Sequence, residues 1–228
     1  MKIQNATVLI TGANRGLGLA FAREALARGA RKVYAGVRDP SKLTLAGVEA
    51  IRLDVTRAED VAAAASRCTD VTLLINNAGI AAVGGFLSAG SIESARAQLE
   101  TNFFGPLRLS QAFAPVLSAN GGGAILNVLS VASWINAPML AMYGASKSAA
   151  WALTNGLRHE LRAQGTQVLG MHVGFVDTDL TRGIDLPKSS PELIVRRTLD
   201  ALEAGAEEVL ADERARQLKQ GLSAEPGV

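Results

Sequence analysis

The chain has 228 residues, 48% of them hydrophobic and 19% charged, which excludes a disordered chain and supplies a core without a disulfide or metal staple. Lys and Arg total 23 against 21 for Asp and Glu, so a net charge of +2 leaves no electrostatic footprint for nucleic acid. A single cysteine, Cys68, excludes an internal disulfide and suits a reducing cytoplasm.

Short β-branched runs alternate with longer helical stretches. The opening Met1 to Thr7 lacks the pattern of a signal peptide, and no apolar run approaches the roughly 18 residues of a membrane span. A cytoplasmic protein without a membrane partner is therefore expected. Thr7 to Ile10 predicts a buried strand. Leu17 to Arg28 predicts a helix with Leu17, Ala20, Phe21 and Ala25 on one face, closed by Gly29. Strands follow at Val33 to Val37 and Ala50 to Leu53, then a short helix at Ala58 to Arg67. Val71 to Ile75 is apolar nearly throughout, as in a strand buried on both faces. Ser91 to Leu117 is helical in pattern, with Pro106 and Pro115 expected to bend or break it. Ala124 to Leu129 predicts a strand, Tyr143 to Arg162 a helix, Val168 to Val173 a strand, Pro191 to Glu203 a helix and Glu208 to Ala211 a last short strand.

This alternation implies parallel strands joined by right-handed crossovers. The expected architecture is a doubly wound α/β sheet, and residues 1–228 form one domain because no linker or composition shift divides them. Ligands of such sheets bind beyond the carboxyl ends of the strands.

The first strand ends in Thr11-Gly12-Ala13-Asn14-Arg15-Gly16-Leu17-Gly18. Glycines between strand and helix let a pyrophosphate approach the backbone, facing the helix N-terminus. The spacing Gly-x3-Gly-x-Gly differs from the long dinucleotide fingerprint, and alone it is compatible with a turn made for tight packing. Tyr143 and Lys147 are four apart and share a helix face. A nearby ammonium favours phenolate and would lower the tyrosine pKa, making it a proton donor and acceptor. A chance Tyr-x-x-x-Lys pair is the other reading. Ser130 ends a strand thirteen residues earlier, which brings both hydroxyls to one rim of the sheet. Ser133 is a nearby competitor, and Ser130 is preferred because it abuts the strand.

With these residues in place the chain resembles the short-chain dehydrogenase/reductase superfamily, in its shorter single-domain branch, over nearly its whole length. The glycine turn matches the family's cofactor turn. Asn76-Asn77-Ala78-Gly79 matches its central-strand motif. Ser130, Tyr143 and Lys147 match its catalytic trio, and Asn102 in Leu99-Glu100-Thr101-Asn102 matches the fourth catalytic position. The resemblance implies cofactor contacts from the turn (Gly12, Asn14, Arg15, Gly16, Leu17, Gly18). It implies adenine contacts from Asp54 and Val55, bracing by Asn77, and a place beside the cofactor for Ala78 and Gly79. Lys147 would also hold the nicotinamide ribose, with Tyr143 beside it. Asn102 would bend its helix and anchor a proton-relay water. Thr178 and the backbone of Val176 would bind the carboxamide. The family's usual Pro-Gly after the sixth strand is Val173-Gly174 here.

The second strand bears on cofactor choice. An NAD enzyme wants a carboxylate at its end, and that position is Val37. Arg38 and Arg15 resemble the basic residues that clamp a 2′-phosphate, a geometry suited to guanidinium. Asp39 is the rival, read here as a turn residue before Pro40. NADP(H) is the expected cofactor. Ile80, Ala81, Val131, Trp134, Leu140, Phe175 and Leu180 are expected to wall an apolar pocket for a neutral carbonyl or alcohol, with Thr178 to Pro191 as a short lid. His159 and His172 lack metal-ligand spacing, so no metal is expected. Trp151 is expected at a subunit interface, on the surface or in the core, and the family's habit implies a homodimer or homotetramer. An epimerase or dehydratase would want a larger C-terminal domain, and a non-catalytic cofactor-binding regulator would tend to lose Tyr143 or Lys147.

Overall fold

The structure, a computed structural model, describes residues 1–223. Its strands are β1 (Thr7–Thr11), β2 (Lys32–Val37), β3 (Glu49–Arg52), β4 (Leu73–Asn76), β5 (Ala124–Val128), β6 (Gln167–His172) and β7 (Glu208–Leu210). They form one parallel sheet in the order β3-β2-β1-β4-β5-β6-β7. β1 and β4 are buried at every residue, because helices cover both faces of a parallel sheet.

On one face, α1 (Gly16–Ala27) and α6 (Pro191–Glu203) pack Phe21, Ala25, Ile194 and Leu199 against Val8, Ile10 and Leu126. On the other, α2 (Ala58–Arg67), α4 (Gly105–Ala119) and α5 (Ala141–Glu160) pack Val61, Leu109, Phe113 and Leu157 against Leu9, Leu74 and Ile125. Cys68 is fully buried in this second layer, and burial pushes its thiol up to about 11. The chain winds outward from β1 to β3 and then returns to β4 on the other side of β1. The strand order therefore reverses between β1 and β4, which opens a crevice at their carboxyl ends.

Two segments depart from the sequence expectation. The stretch from Ser91 to Leu117 is not broken at its prolines. It comprises α3 (Ser91–Leu99), a π-helical turn (Glu100–Phe104) and α4. Pro106 directly follows the π-helical turn, at the second residue of α4, and Pro115 is accommodated inside the helix. The second departure is α7 (Glu213–Gly221), which has no counterpart in the expected elements. Only Ala215 of this helix is buried, so the apolar period is missing; the start signal is the Asp212 carboxylate accepting from the Ala215 N–H at 2.8 Å. Other ends differ by one or two residues, as for β4 and α5.

Candidate active site

The turn between β1 and α1 is built so that little stands above it. Gly12 and Gly16 have φ of 65° and 52°, which favour glycine. A Cβ on Gly18 would lie 2.2 Å from the Gly12 carbonyl oxygen, so α1 closes directly onto the turn. Arg15 at its N-cap makes no side-chain cap bond, and the first turn holds no acid. The N–H groups of that turn and the positive dipole end are thus offered to an anion. Thr11 ties the turn to β4: its Oγ1 accepts from the Asn77 and Ala78 N–H groups at 3.0 and 2.9 Å. The Asn77 side chain donates to the Thr11 carbonyl at 2.8 Å. Thr178 reaches the same turn, its methyl placed 3.2 Å from where a Gly16 Cβ would stand. Thr178 Oγ1 donates to the Val176 carbonyl, and Val176 itself is buried. Asn14 is exposed on the turn and Leu17 is half-buried on α1. A close-approach glycine cradle under an uncapped helix start fits a dinucleotide pyrophosphate.

The outer end of this cradle is charged and open. Val37 is buried at the end of β2, and Arg38 beyond it is exposed. The Asp39 carboxylate is turned into its own loop, accepting from Ser41 N and Oγ and pairing with Lys42 at 3.4 Å. Asp54 likewise accepts from Thr56 N and Oγ1 at 3.0 and 2.7 Å. Burial pushes the Asp54 pKa up, but the Thr56 bonds and the charges of Arg38 and Arg57 bring it below its ordinary value. Val55 is buried and packs beside Gly105, where a Cβ would come within 2.9 Å of its Cγ2. Arg15 pairs with Asp179 at 3.0 Å rather than standing free beside Arg38, and Arg182 holds the same carboxylate.

The inner end is buried and neutral in its bonding. Asn102 lies in the π-helical turn, where an extra residue re-aims the backbone. Its Oδ1 accepts from Ile80 N at 2.9 Å, and its Nδ2 donates to Ile80 O at 2.8 Å and Ser146 Oγ at 2.9 Å. Ser146 in turn donates to the Tyr143 carbonyl at 2.8 Å. Lys147 is 5% exposed, and its Nζ donates to the Val128 carbonyl at 2.8 Å. Desolvation lowers its pKa to about 8. A Cβ on Gly79 would lie 3.2 Å from Asn102 Oδ1 and 3.7 Å from Lys147 Nζ, which places Gly79 beside both. Ser130 Oγ accepts from the Ala132 N–H at 3.1 Å.

Tyr143 corrects one expectation. Its pKa is raised, by desolvation first, with the hydrogen bond of Ser130 pulling it back down. The expected lowering by Lys147 is not seen: Nζ is 5.8 Å from the ring centroid and faces the Val128 carbonyl. Burial outweighs the ammonium.

Beside the start of α5 a cavity of about 630 Å³ is lined by Phe86, Leu87, Asn136, Pro138 and Ala141 among others. Phe86 and Leu87 were missed because they follow no strand end closely; the small-residue run around Gly84-Gly85 is the only sequence signal of a loop there. None of the expected wall residues Ile80, Ala81, Val131, Trp134, Leu140, Phe175 and Leu180 lines this cavity, which is formed instead by the segment around Phe86 and the start of α5. Trp134 stacks on His172, centroids 4.0 Å apart, with Trp151 edge-on to both. A second cavity, about 450 Å³, lies between α1 and the segment after Val176, lined by Gly16, Arg23, Thr178, Arg182 and Lys188 among others.

This cradle and cluster, at the switch point of a doubly wound sheet, define the class of the protein as a dinucleotide-dependent oxidoreductase. The family model for short chain dehydrogenase matches residues 6–188. The chain belongs to that family, whose members use a nicotinamide cofactor. It is 43% identical to a short chain dehydrogenase of Burkholderia cenocepacia J2315 solved in complex with NADP; the likeness covers 99% of this chain and 95% of that one, with a TM-score of 0.95. It is 36% identical over 217 residues to short-chain dehydrogenase ptmH of Penicillium ochrochloron, covering 90% of this chain and 79% of that protein. A short chain dehydrogenase/reductase of Burkholderia phymatum in complex with NAD shares the fold at 24% identity and TM-score 0.83, covering 96% of this chain and 93% of that one. No helix among the described residues is long and apolar enough to cross a membrane.

Proposed function

We propose that the protein is an NADP(H)-dependent carbonyl reductase or alcohol dehydrogenase acting on a small neutral carbonyl or secondary alcohol. The observation that supports this best is the convergence of Ser130, Tyr143 and Lys147 on one rim of the crevice. A bound nicotinamide cofactor supplies or accepts the hydride. Ser130 donates a hydrogen bond to the substrate oxygen, where negative charge grows. Tyr143 gives the proton to that oxygen in reduction, and takes it back in oxidation. The phenol is protonated at neutral pH; burial raises its pKa and weakens it as an acid, and the Ser130 hydrogen bond works against that rise. Lys147 holds the ribose hydroxyls from its buried position, and Asn102, fixed to Ile80 and Ser146, holds the bent backbone that a relay water needs.

NADP(H) is favoured over NAD(H) by three features of the outer end. Val37 offers no acceptor for a ribose 2′-hydroxyl, and Asp39 spends its carboxylate on Ser41 and Lys42. Arg38 remains exposed, and Arg15 on the glycine turn is a second cation, shared with Asp179. The cavity at Phe86 and Leu87 suits an uncharged substrate, because no charged side chain lines it. We place the enzyme in the cytoplasm as a homodimer or homotetramer.

The test is NADPH oxidation with a panel of benzaldehyde, acetophenone, cyclohexanone and diacetyl, and the reverse reaction with their alcohols. Turnover of at least one compound, lost in Tyr143→Phe, is expected. Tight NADPH binding with no turnover anywhere would return the regulator reading.

A further inference from the structure

His172 ends β6 directly behind Ser130. The residues on either side of Ser130 are laddered to the residues on either side of His172: Leu129 N donates to Met171 O at 2.8 Å and Val131 N to Val173 O at 3.0 Å. The His172 ring crosses this gap, its Nδ1 lying 3.2 Å from the Ser130 carbonyl oxygen. That oxygen also accepts from Ser133 N at 3.0 Å. A carbonyl oxygen only accepts, so the hydrogen of this bond belongs to Nδ1.

The ring has little freedom to leave. It is fully buried, stacked on Trp134 and edge-on to Trp151. Nε2 lies 3.4 Å from Glu208 Oε1, without hydrogen-bond geometry. Glu208 is itself fixed by Lys219 of α7 at 3.1 Å. Lys219 Nζ also sits 4.8 Å from the Trp134 ring centroid, within cation–π range. The Glu208 pKa falls to about 2, His172 acting first and Lys219 after it against desolvation. A chain of contacts thus runs from the polar helix α7 through β7 and β6 to the carbonyl of Ser130.

We propose that His172 is a positioning residue, whose ring N–H to the Ser130 carbonyl sets the Ser130 hydroxyl against Tyr143, with Trp134, Glu208 and Lys219 as its buttress. This rests on the reading of Ser130 and Tyr143 as the hydroxyls that act on substrate oxygen. Ser130 sits at the junction of strand and turn, where a small rotation moves its hydroxyl off the phenol. An effect on turnover without an effect on cofactor binding follows.

Two matched polar substitutions test this. In His172→Asn the amide nitrogen falls near the place of Nδ1, and in His172→Gln near that of Nε2. The asparagine variant should keep kcat close to wild type. The glutamine variant should lose about tenfold in kcat, about 1.4 kcal/mol, with KM for NADPH unchanged in both. A second readout needs no substrate. Tyr34 is the only other tyrosine, so ¹³Cζ-tyrosine NMR follows Tyr143 directly. Because the Ser130 bond lowers the Tyr143 pKa, glutamine should raise it in the same direction as Ser130→Ala should, and asparagine should not. Equal behaviour of the two variants in kcat and in titration overturns the proposal. Should neither variant fold, Lys219→Met at the outer end must shift Tyr143 in the same direction by less, and no shift there overturns it. If wild type reduces no compound of the panel, the functional reading fails, while the tyrosine titration still decides the positioning of Ser130.

Discussion

The two ends of the cofactor crevice are built on opposite principles. At the inner end Asn102, Ser146 and Lys147 are buried, and each polar atom is tied to a neutral backbone or hydroxyl partner. At the outer end Arg15, Arg38 and Asp39 are exposed, and the pairings of Arg15 and Asp39 are ionic or made within their own loop. Buried groups are over-determined, so removing one leaves an orphan with no water to replace it. Exposed charges are screened and exchange partners cheaply. The inner end should therefore respond to mutation almost as a switch, and the outer end by degrees.

The sharpest break comes at Tyr143. Tyr143→Phe preserves the ring and its packing but removes the proposed proton donor. General acid–base groups contribute about 10²–10⁴-fold, and kcat should fall by that much with NADPH affinity nearly unchanged. Activity within a few-fold of wild type would show that the proton comes from elsewhere.

Lys147 tests how strongly the inner end is desolvated. Its pKa falls from 10.5 to about 8 in the folded chain. Between those values the unfolded chain binds a proton that the folded chain has released, so stability rises with pH across that window. Below about 8 the full penalty of burying the ammonium is present. At 1.36 kcal/mol per pKa unit this amounts to about 3 kcal/mol. Lys147→Met lacks the penalty at every pH. Its stability relative to wild type should thus be highest below about pH 8 and decline by that amount toward 10.5, measured by urea denaturation of both proteins. A constant difference would mean that the ammonium is better solvated than its burial implies.

Gly18 marks the point where the inner and outer ends meet. In Gly18→Ala the new methyl meets the Gly12 carbonyl at 2.2 Å, a backbone atom that cannot swing away. Over-packing of this kind costs about 1–3 kcal/mol, and NADPH binding should weaken with it because α1 is pushed off the turn. Unchanged thermal stability and unchanged NADPH titration would mean that the helix can shift freely.

The sequence was legible where local chemistry repeats a pattern. Alternating apolar runs located all seven strands, and Gly12, Gly16 and Gly18 located the cradle because only glycine permits that backbone. Ser130, Tyr143 and Lys147 could be grouped because strand end and helix face are fixed by period. What stayed hidden depends on tertiary partners. The bend at Asn102 is expected only from the family resemblance; its π-helical form has no local propensity signal and arises where the side chain engages Ile80 and Ser146. Helix α7 buries one residue and offers no period to read. The pairing of Arg15 with Asp179 spans most of the chain, and the sign of the Tyr143 shift is set by burial that no spacing reveals.

The smallest effect belongs to the outer end. With Val37 buried and Asp39 committed to Ser41 and Lys42, Arg38 is the cation best placed for a 2′-phosphate. Arg15 must share itself with Asp179, so its contribution should be the lesser. A charge-assisted hydrogen bond in water, discounted for exposure and salt, supports a preference of about tenfold. Wild type should prefer NADPH over NADH by about that factor in kcat/KM at fixed ionic strength, and the preference should shrink as salt is raised. Val37→Asp with Arg38→Ala adds a ribose acceptor and a charge that repels phosphate, and should move the preference toward NADH. Asp39→Asn should change neither constant by more than about twofold, because its carboxylate is held within its own loop. If wild type used NADH as well as NADPH, and Asp39→Asn abolished that use, Asp39 and not Arg38 would be the residue that reads the adenosine ribose.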